Sequence, residues 1–363
     1  MRRTAALIVG GGPAGSAAAI TLAKGGVRPE LIERTTGPHD TVCGGFLGWD
    51  ALGALERLGV DAGALGARPI TRLRLVGAGR QVEAKLPRMA VGLSRRTLDE
   101  AMLGAAAKAG AVVTRGRTAR AADAEARSVR LDDGEEIAAD ALFLATGKHE
   151  LRGAARPLGD WPEPPSVGLR MALPATPRLR DALAGYIELH LFDGGYAGLL
   201  LQEDGTANLC LSFAKARFAA SAGADALLEE IAREAPLLGE RMAGRDGLER
   251  QAIAGVPYGW RTRATSPGLF RLGDQAAVIS SLAGDGVAIA LTSGVEAAQA
   301  LLDGGRDDAE SYQASFARRS ARPLGVANAL RHAAESPRAR PALMRLAKVP
   351  SLPGATARLT RID

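Results

Sequence analysis

Thr4-Ala5-Ala6-Leu7-Ile8-Val9-Gly10-Gly11-Gly12-Pro13-Ala14-Gly15-Ser16 decides the fold of this 363-residue chain. Its apolar opening, bounded by glycine, reads as a strand buried on both faces. The Ala/Ile/Leu-rich stretch to Lys24 reads as a helix, and Pro29-Glu30-Leu31-Ile32-Glu33 as a second strand ending in an acid. Strand, G-x-G-x-x-G turn, helix and acid-terminated strand together form a dinucleotide-binding unit. Gly10 permits the tight turn, Gly12 lets the backbone approach a pyrophosphate, and Gly15 lets helix and strand pack closely. Pro13 and Ala14 open a helix whose unpaired N–H groups suit an anion. Glu33 stands where a ribose hydroxyl needs an acceptor.

A second motif lies far along the chain. Pro267-Gly-Leu-Phe-Arg-Leu-Gly273-Asp274 is a strand ending in Gly-Asp, and Ser280-Ser281-Leu-Ala-Gly284-Asp285-Gly286-Val287 leads into a helical run to Leu302. This pair resembles the second flavin-binding motif of the FAD-dependent monooxygenase (aromatic hydroxylase-like) and geranylgeranyl reductase superfamily. The resemblance implies that Asp274 binds the ribityl chain and that the Gly284–Val287 backbone approaches the flavin ring, where a helix N-terminus stabilises negative charge. It also implies that Arg34 lies along the adenine edge. Ser94-Arg95-Arg96-Thr97-Leu98-Asp99 is similar to the family's R-x-x-[FL]-D segment, with Arg95 near the cofactor; read alone, it is equally a salt-bridged helix start. Asp140–Gly147 resembles the strand closing the nucleotide-binding unit, after a hairpin turn at Asp133-Gly134.

The expected fold is therefore α/β: a Rossmann-like FAD-binding domain with an inserted antiparallel β-sheet substrate domain and a short helical C-terminal segment. The FAD-binding domain takes residues 1–68, 92–158 and 260–303, the substrate domain 69–91 and 159–259, and the C-terminal segment 304–363. Alternation marks strands at Ile70–Val76, Gln81–Leu86, Val167–Leu173, Tyr186–Phe192, Tyr196–Glu203 and Ala207–Phe213, with a helical stretch at Ala222–Ala243. The chain has only fourteen aromatic residues, so Tyr196, Tyr258 and Trp260 are weighed as pocket wall or core. Cys43, in Val42-Cys43-Gly44-Gly45-Phe46, sits where geranylgeranyl reductases place a Cys-Gly near the flavin; it is equally a small buried hydrophobe. Cys210 reads as inert core.

Departures from the family pattern narrow the chemistry. The Tyr-x-Trp-x-Phe-Pro segment of geranylgeranyl reductases becomes Tyr196-Ala-Gly198-Leu-Leu200-Leu201. Hydroxylases carry Asp-Gly where this chain has Thr146-Gly147-Lys148, and proline where Ser281 stands. The Trp-x-Trp-x-Ile-Pro signature of flavin halogenases is missing. No second G-x-G-x-x-G unit follows, so NAD(P)H is expected as a transient reductant. The resemblance implies a single-component monooxygenase that uses O2 on a hydrophobic or aromatic small molecule. An ene-reductase of the geranylgeranyl reductase kind is the alternative. A flavoprotein that acts on or docks with a protein partner is a third class.

Composition bounds the rest. An apolar fraction of 47% and a charged fraction of 24% are those of a globular chain, and 45 glycines exceed the usual ~7%. Two cysteines, Cys43 and Cys210, suit a reducing compartment and offer no metal framework. The run Thr4–Val9 after Arg2 and Arg3 is only six residues before glycine interrupts it, too short for a span or leader, so a cytoplasmic location is expected. From Gln313 to Asp363 ten basic residues face two acids; the remaining 312 residues carry 36 basic and 38 acidic groups. The excess belongs to the tail, and nucleic-acid binding is not implied. Prolines at 323, 337, 341, 350 and 353 are expected to divide that tail into short helices. Two readings of it stand: leucines packed on the flavin domain, or a basic surface for anionic lipid or an acidic partner.

Overall fold

Two sheets organise the chain in the computed structural model, which describes residues 2–159, 161–162, 164–349 and 352–362. β1 (Arg2–Val9) leads through the glycine turn into α1 (Pro13–Lys24) and β2 (Glu30–Glu33). A two-residue strand, β3 (Phe46–Leu47), precedes α2 (Trp49–Leu58), β4 (Arg68–Gly77) and β5 (Arg80–Gly92). α3 (Arg95–Ala109) starts at Ser94, whose hydroxyl accepts from the Thr97 N–H and supplies one of the bonds a helix start lacks. β6 (Val112–Arg115), β7 (Ala119–Asp123), β8 (Ser128–Leu131) and β9 (Glu136–Leu144) follow, the last two joined by the hairpin at Asp133-Gly134.

β10 (Ser166–Pro174), α4 (Pro177–Leu183), β11 (Gly185–Phe192), β12 (Gly195–Leu201) and β13 (Thr206–Ala214) come next. Short helices α5 (Lys215–Ala220), α6 (Ala224–Glu234) and α7 (Pro236–Arg241) then lead to β14 (Gln251–Val256). β15 (Leu269–Arg271) returns to the first sheet, followed by α8 (Gly286–Gly304), α9 (Ala309–Glu335), α10 (Arg340–Leu346) and α11 (Leu352–Leu359).

The first sheet runs β6-β2-β1-β9-β8-β7, with β15 also on β9. Its central pairs are parallel, so β1, β2, β9 and β15 all end at one edge, where Val9 aligns with Leu144. Open α/β sheets bind ligands outside those carboxyl ends. α1 and α8 cover one face so closely that a Cβ on Gly294 would meet the Ala14 carbonyl oxygen at 2.2 Å.

The second sheet runs β14-β10-β13-β12-β11-β4-β5-β3. Among the described residues it is antiparallel except where β4 meets β11, a parallel pair that joins the two inserted stretches. One face is closed by α6 and α7, whose Leu227, Leu228, Ile231 and Leu238 pack on Met171, Leu209 and Leu211.

The tail departs from expectation. Pro323 lies inside α9, a helix of 27 residues, rather than ending one. Proline in a helix interior costs about 3 kcal/mol, but Phe316, Leu324 and Ala327 are buried in the main core on either side, and their burial offsets it. Pro350 and Asp363 lie outside the described residues.

Candidate active site

A single cavity of about 940 Å³ opens at the carboxyl edge of the first sheet and runs on beneath the second. Gly10, Gly12, Pro13, Ala14, Glu33 and Arg34 line its first arm. The three motif glycines do different work. A Cβ on Gly10, where φ is +108°, would meet the Ala145 carbonyl oxygen at 2.4 Å, and one on Gly15 would meet Gly10 O at 1.9 Å. Both hold the turn against its neighbours. At Gly12 a Cβ would meet only Arg95 Nη2, at 3.2 Å, so its missing side chain leaves a cradle between the α1 N-terminus and Arg95.

Glu33 is buried and turned inward. Gly11 N–H donates to Oε2 at 2.7 Å, and the Thr35 N–H and hydroxyl donate to Oε1 at 2.9 Å. Burial alone would raise its pKa, but those hydrogen bonds from Thr35 and Gly11 outweigh it and keep the carboxyl below its usual range. Arg34 Nη2 lies 3.0 Å from His149 Nε2; burial, then the Arg34 charge, lowers the imidazole pKa and leaves it a neutral acceptor.

Arg95, Cys43, Gly273, Asp274, Gly284, Gly286 and Val287 line the middle of the cavity. Arg95 grips Asp99 with two bonds, Nε to Oδ1 at 2.8 Å and Nη2 to Oδ2 at 2.7 Å. Burial opposes its charge, yet the Asp99 carboxylate keeps the guanidinium pKa above its ordinary value. The salt-bridged helix start and the cavity residue are thus one and the same. Cys210 also reaches the wall, with its thiol pushed up to about 12 by burial.

The inner arm is apolar, with Leu73, Leu75, Leu189 and Leu191 from the second sheet facing Leu330, Leu343 and Leu346 of the tail. Tyr196 and Tyr258 stand between middle and inner arm. Their hydroxyls converge on Ser281 Oγ at 2.6 and 2.9 Å, and Ser212 reaches Tyr258 at 3.3 Å. Burial raises both phenol pKa values, so each tyrosine is a neutral hydroxyl.

Two expected residues lie elsewhere. Trp260 is not on the cavity wall; it packs with Val256, Tyr258 and Val278, and the Arg156 guanidinium lies over its ring. The Asp285 side chain is also off the wall, in an ion pair with Arg361 from the far end of the chain. Arg361 stacks on Trp49, 4.2 Å from ring centre to guanidinium carbon.

A protein-family model described as "FAD binding domain" matches residues 3–152. The chain is an FAD-dependent oxidoreductase. It is 28% identical over 332 residues to a menaquinone reductase of Mycolicibacterium smegmatis, covering 85% of this chain and 79% of that one. A geranylgeranyl bacteriochlorophyll reductase-like protein from Thermoplasma acidophilum superposes with a TM-score of 0.75 at 20% identity, covering 100% of this chain and 94% of that one. A probable FAD-dependent monooxygenase from Pseudomonas aeruginosa gives 0.70 at 19% identity, covering 95% and 100%. The chain shares the fold of these two proteins.

For this oxidoreductase the walls fit FAD. The Gly12 cradle, the buried Glu33 and the Asp274 and Gly284 region lie along one continuous space. Sequence reasoning passed over Lys148 except as a departure. Its ammonium lies 3.3 Å from Asp274 Oδ2 on the cavity wall, and that carboxylate raises the lysine pKa against burial. A cation next to the expected ribityl-binding aspartate was the signal available in Thr146-Gly147-Lys148. No helix among the described residues is long and apolar enough to cross a membrane.

Proposed function

We propose that this FAD-dependent oxidoreductase is an ene-reductase that adds hydrogen to a long, isoprenoid-bearing lipophilic molecule of the menaquinone kind. The observation that carries the reading is the leucine-lined inner arm, continuous with the cofactor space and too apolar for a small polar substrate. The likeness to a menaquinone reductase over 85% of this chain supports it. A large apolar cavity rather than an open shallow face also favours it over a flavoprotein that acts on a protein.

FAD, when bound, supplies the electron pair, which NAD(P)H replaces as a transient reductant. The chain supplies everything else. The Gly10–Gly12 turn and the α1 N-terminus hold the pyrophosphate, with Gly15 and Pro13 fixing the turn. Glu33 fixes the turn and would hold the ribose, and Arg34 would lie along the adenine edge. Asp274 and Lys148 would hold the ribityl region, and the Gly284, Gly286 and Val287 backbone would face the ring. Arg95, beside Gly12, would close the cradle, and Cys43 would line the middle of the same space. Tyr196, neutral and held by Ser281, keeps a proton at its Oη for the substrate carbon that does not take the electron pair. Tyr258 and Ser212 continue that hydroxyl chain. The leucines exclude water from the reacting bond.

A second reading, oxygenation of a hydrophobic aromatic molecule with O2, draws on the same four hydroxyls, which would orient a phenol. Anaerobic mixing separates the two. Bound flavin reduced beforehand is reoxidised by menaquinone on the first reading, and the same ring without its isoprenoid tail reacts at least tenfold less efficiently. Equal efficiency for both would leave the leucine arm without a role, and reoxidation only on adding O2 would favour the second reading.

A further inference from the structure

The cavity ends at a rim that is both apolar and basic. Among the described residues six large apolar side chains are well exposed, and four of them are Met89 (55%), Leu346 (52%), Val349 (45%) and Leu352 (38%). Leu346 and Leu352 also line the cavity, so they face its interior and the solvent at once; that is the position of a mouth. α10 and α11 pack against β5, which carries Met89 and sends Lys85, Leu86 and Pro87 to the same wall. The rim is therefore one patch made by two parts of the chain.

Charge gives the patch its partner. Lys85, Arg88, Arg345, Lys348 and Arg358 are exposed around it. No acid occurs between Glu83 and Asp99, or between Glu335 and Asp363. Exposed aliphatic side chains inside a ring of unopposed cations match the interface of an anionic bilayer, where apolar groups enter the acyl boundary and cations meet headgroup phosphates. We propose that the α10–α11 rim seats on anionic membrane and that the cavity mouth opens into the lipid. On the reading of a lipophilic substrate, that molecule then enters the leucine arm without crossing water. The anchoring of the same tail by Arg361 and Asp285 holds the rim in register with the cofactor space.

The test uses full-length holoprotein sedimented with vesicles of phosphatidylcholine alone or mixed with phosphatidylglycerol. Expected is binding to the mixed vesicles, several-fold weaker binding to phosphatidylcholine alone, and release as salt rises from about 0.1 M to about 1 M, which cuts the screening length from ~10 to ~3 Å. Arg345→Gln with Lys348→Gln lowers partitioning roughly tenfold or more, since each basic residue near such a surface is worth about fivefold. Met89→Glu with Val349→Glu, at positions off the cavity wall, lowers it as far while FAD occupancy and reduction of detergent-dispersed menaquinone stay unchanged. Absence of vesicle binding by the wild type overturns the proposal. So does salt-sensitive binding that the Met89 and Val349 changes leave intact, which would mark a purely electrostatic contact such as an acidic protein. Vesicle binding with no reduction of dispersed menaquinone upholds the docking surface and overturns the reductase reading instead.

Discussion

Replacing Glu33 by alanine tests whether the first arm of the cavity is built for FAD. The carboxylate accepts three hydrogen bonds, from the Gly11 N–H and from the Thr35 N–H and hydroxyl. Glu33→Ala leaves the Gly11 N–H without its partner beneath the turn. An unsatisfied buried donor costs about 1–3 kcal/mol, so apoprotein stability in urea falls by that order. The same change removes the acceptor for the ribose, and a charge-assisted bond is worth about 1.5–3 kcal/mol. FAD affinity should therefore fall roughly ten- to 150-fold, read by titrating apoprotein with FAD and following quenching of flavin fluorescence. The pH dependence has a definite sign. Because the folded-state pKa of Glu33 lies below its unfolded value, its contribution is complete above the ordinary carboxylate range. It is lost as pH falls through the lower, folded value. An unchanged FAD titration for Glu33→Ala, with stability lowered as expected, would refute the ribose contact while keeping the structural one.

Three further substitutions divide the site. Gly12→Val should cost the apoprotein little, because the new Cβ meets one atom alone, Arg95 Nη2 at 3.2 Å, but should weaken FAD at least tenfold, about 1.4 kcal/mol; equal FAD binding would remove Gly12 from the pyrophosphate path. Arg361→Ala strands the buried Asp285 carboxylate at the start of α8, a loss of about 3–5 kcal/mol in urea denaturation; a loss below about 1 kcal/mol would show that the tail does not anchor the flavin loop. Tyr196→Phe leaves Ser281 bonded to Tyr258, so stability should move by no more than about 1 kcal/mol while turnover falls at least tenfold with FAD retained; unchanged turnover would take the proton from Tyr196.

What the sequence showed plainly was local. The Gly10/Gly12/Gly15 spacing, Glu33 at the end of a strand, and the Gly273-Asp274 and Gly284-x-Gly286 pair are short-range patterns whose physics is decided within a few residues. What it hid depends on distant partners. Asp285 reads as part of a flavin motif, yet its side chain is taken by Arg361, and nothing near either residue announces the other. Trp260 sits two residues from Tyr258 but packs toward the core, because past the end of β14 the alternation that would have assigned its face no longer applies. Pro323 would end a solvent-exposed helix; inside α9 the burial of Phe316 and Leu324 overrides it. The parallel β4–β11 pair was illegible for a related reason, since alternation fixes which face a residue takes but not which strand lies alongside.

Mass analysis of the product tests the central claim most directly. Holoprotein, an excess of NAD(P)H and menaquinone are incubated without oxygen, the lipid is extracted, and air is admitted before it is weighed; free FAD at the same concentration serves as control. A quinone ring reduced on its own returns to the starting mass in air, whereas a hydrogenated carbon–carbon double bond does not. The account predicts a product that keeps two added hydrogen atoms after exposure to air and is absent from the control. A product that forms only in the presence of O2 and carries an added oxygen atom would contradict it.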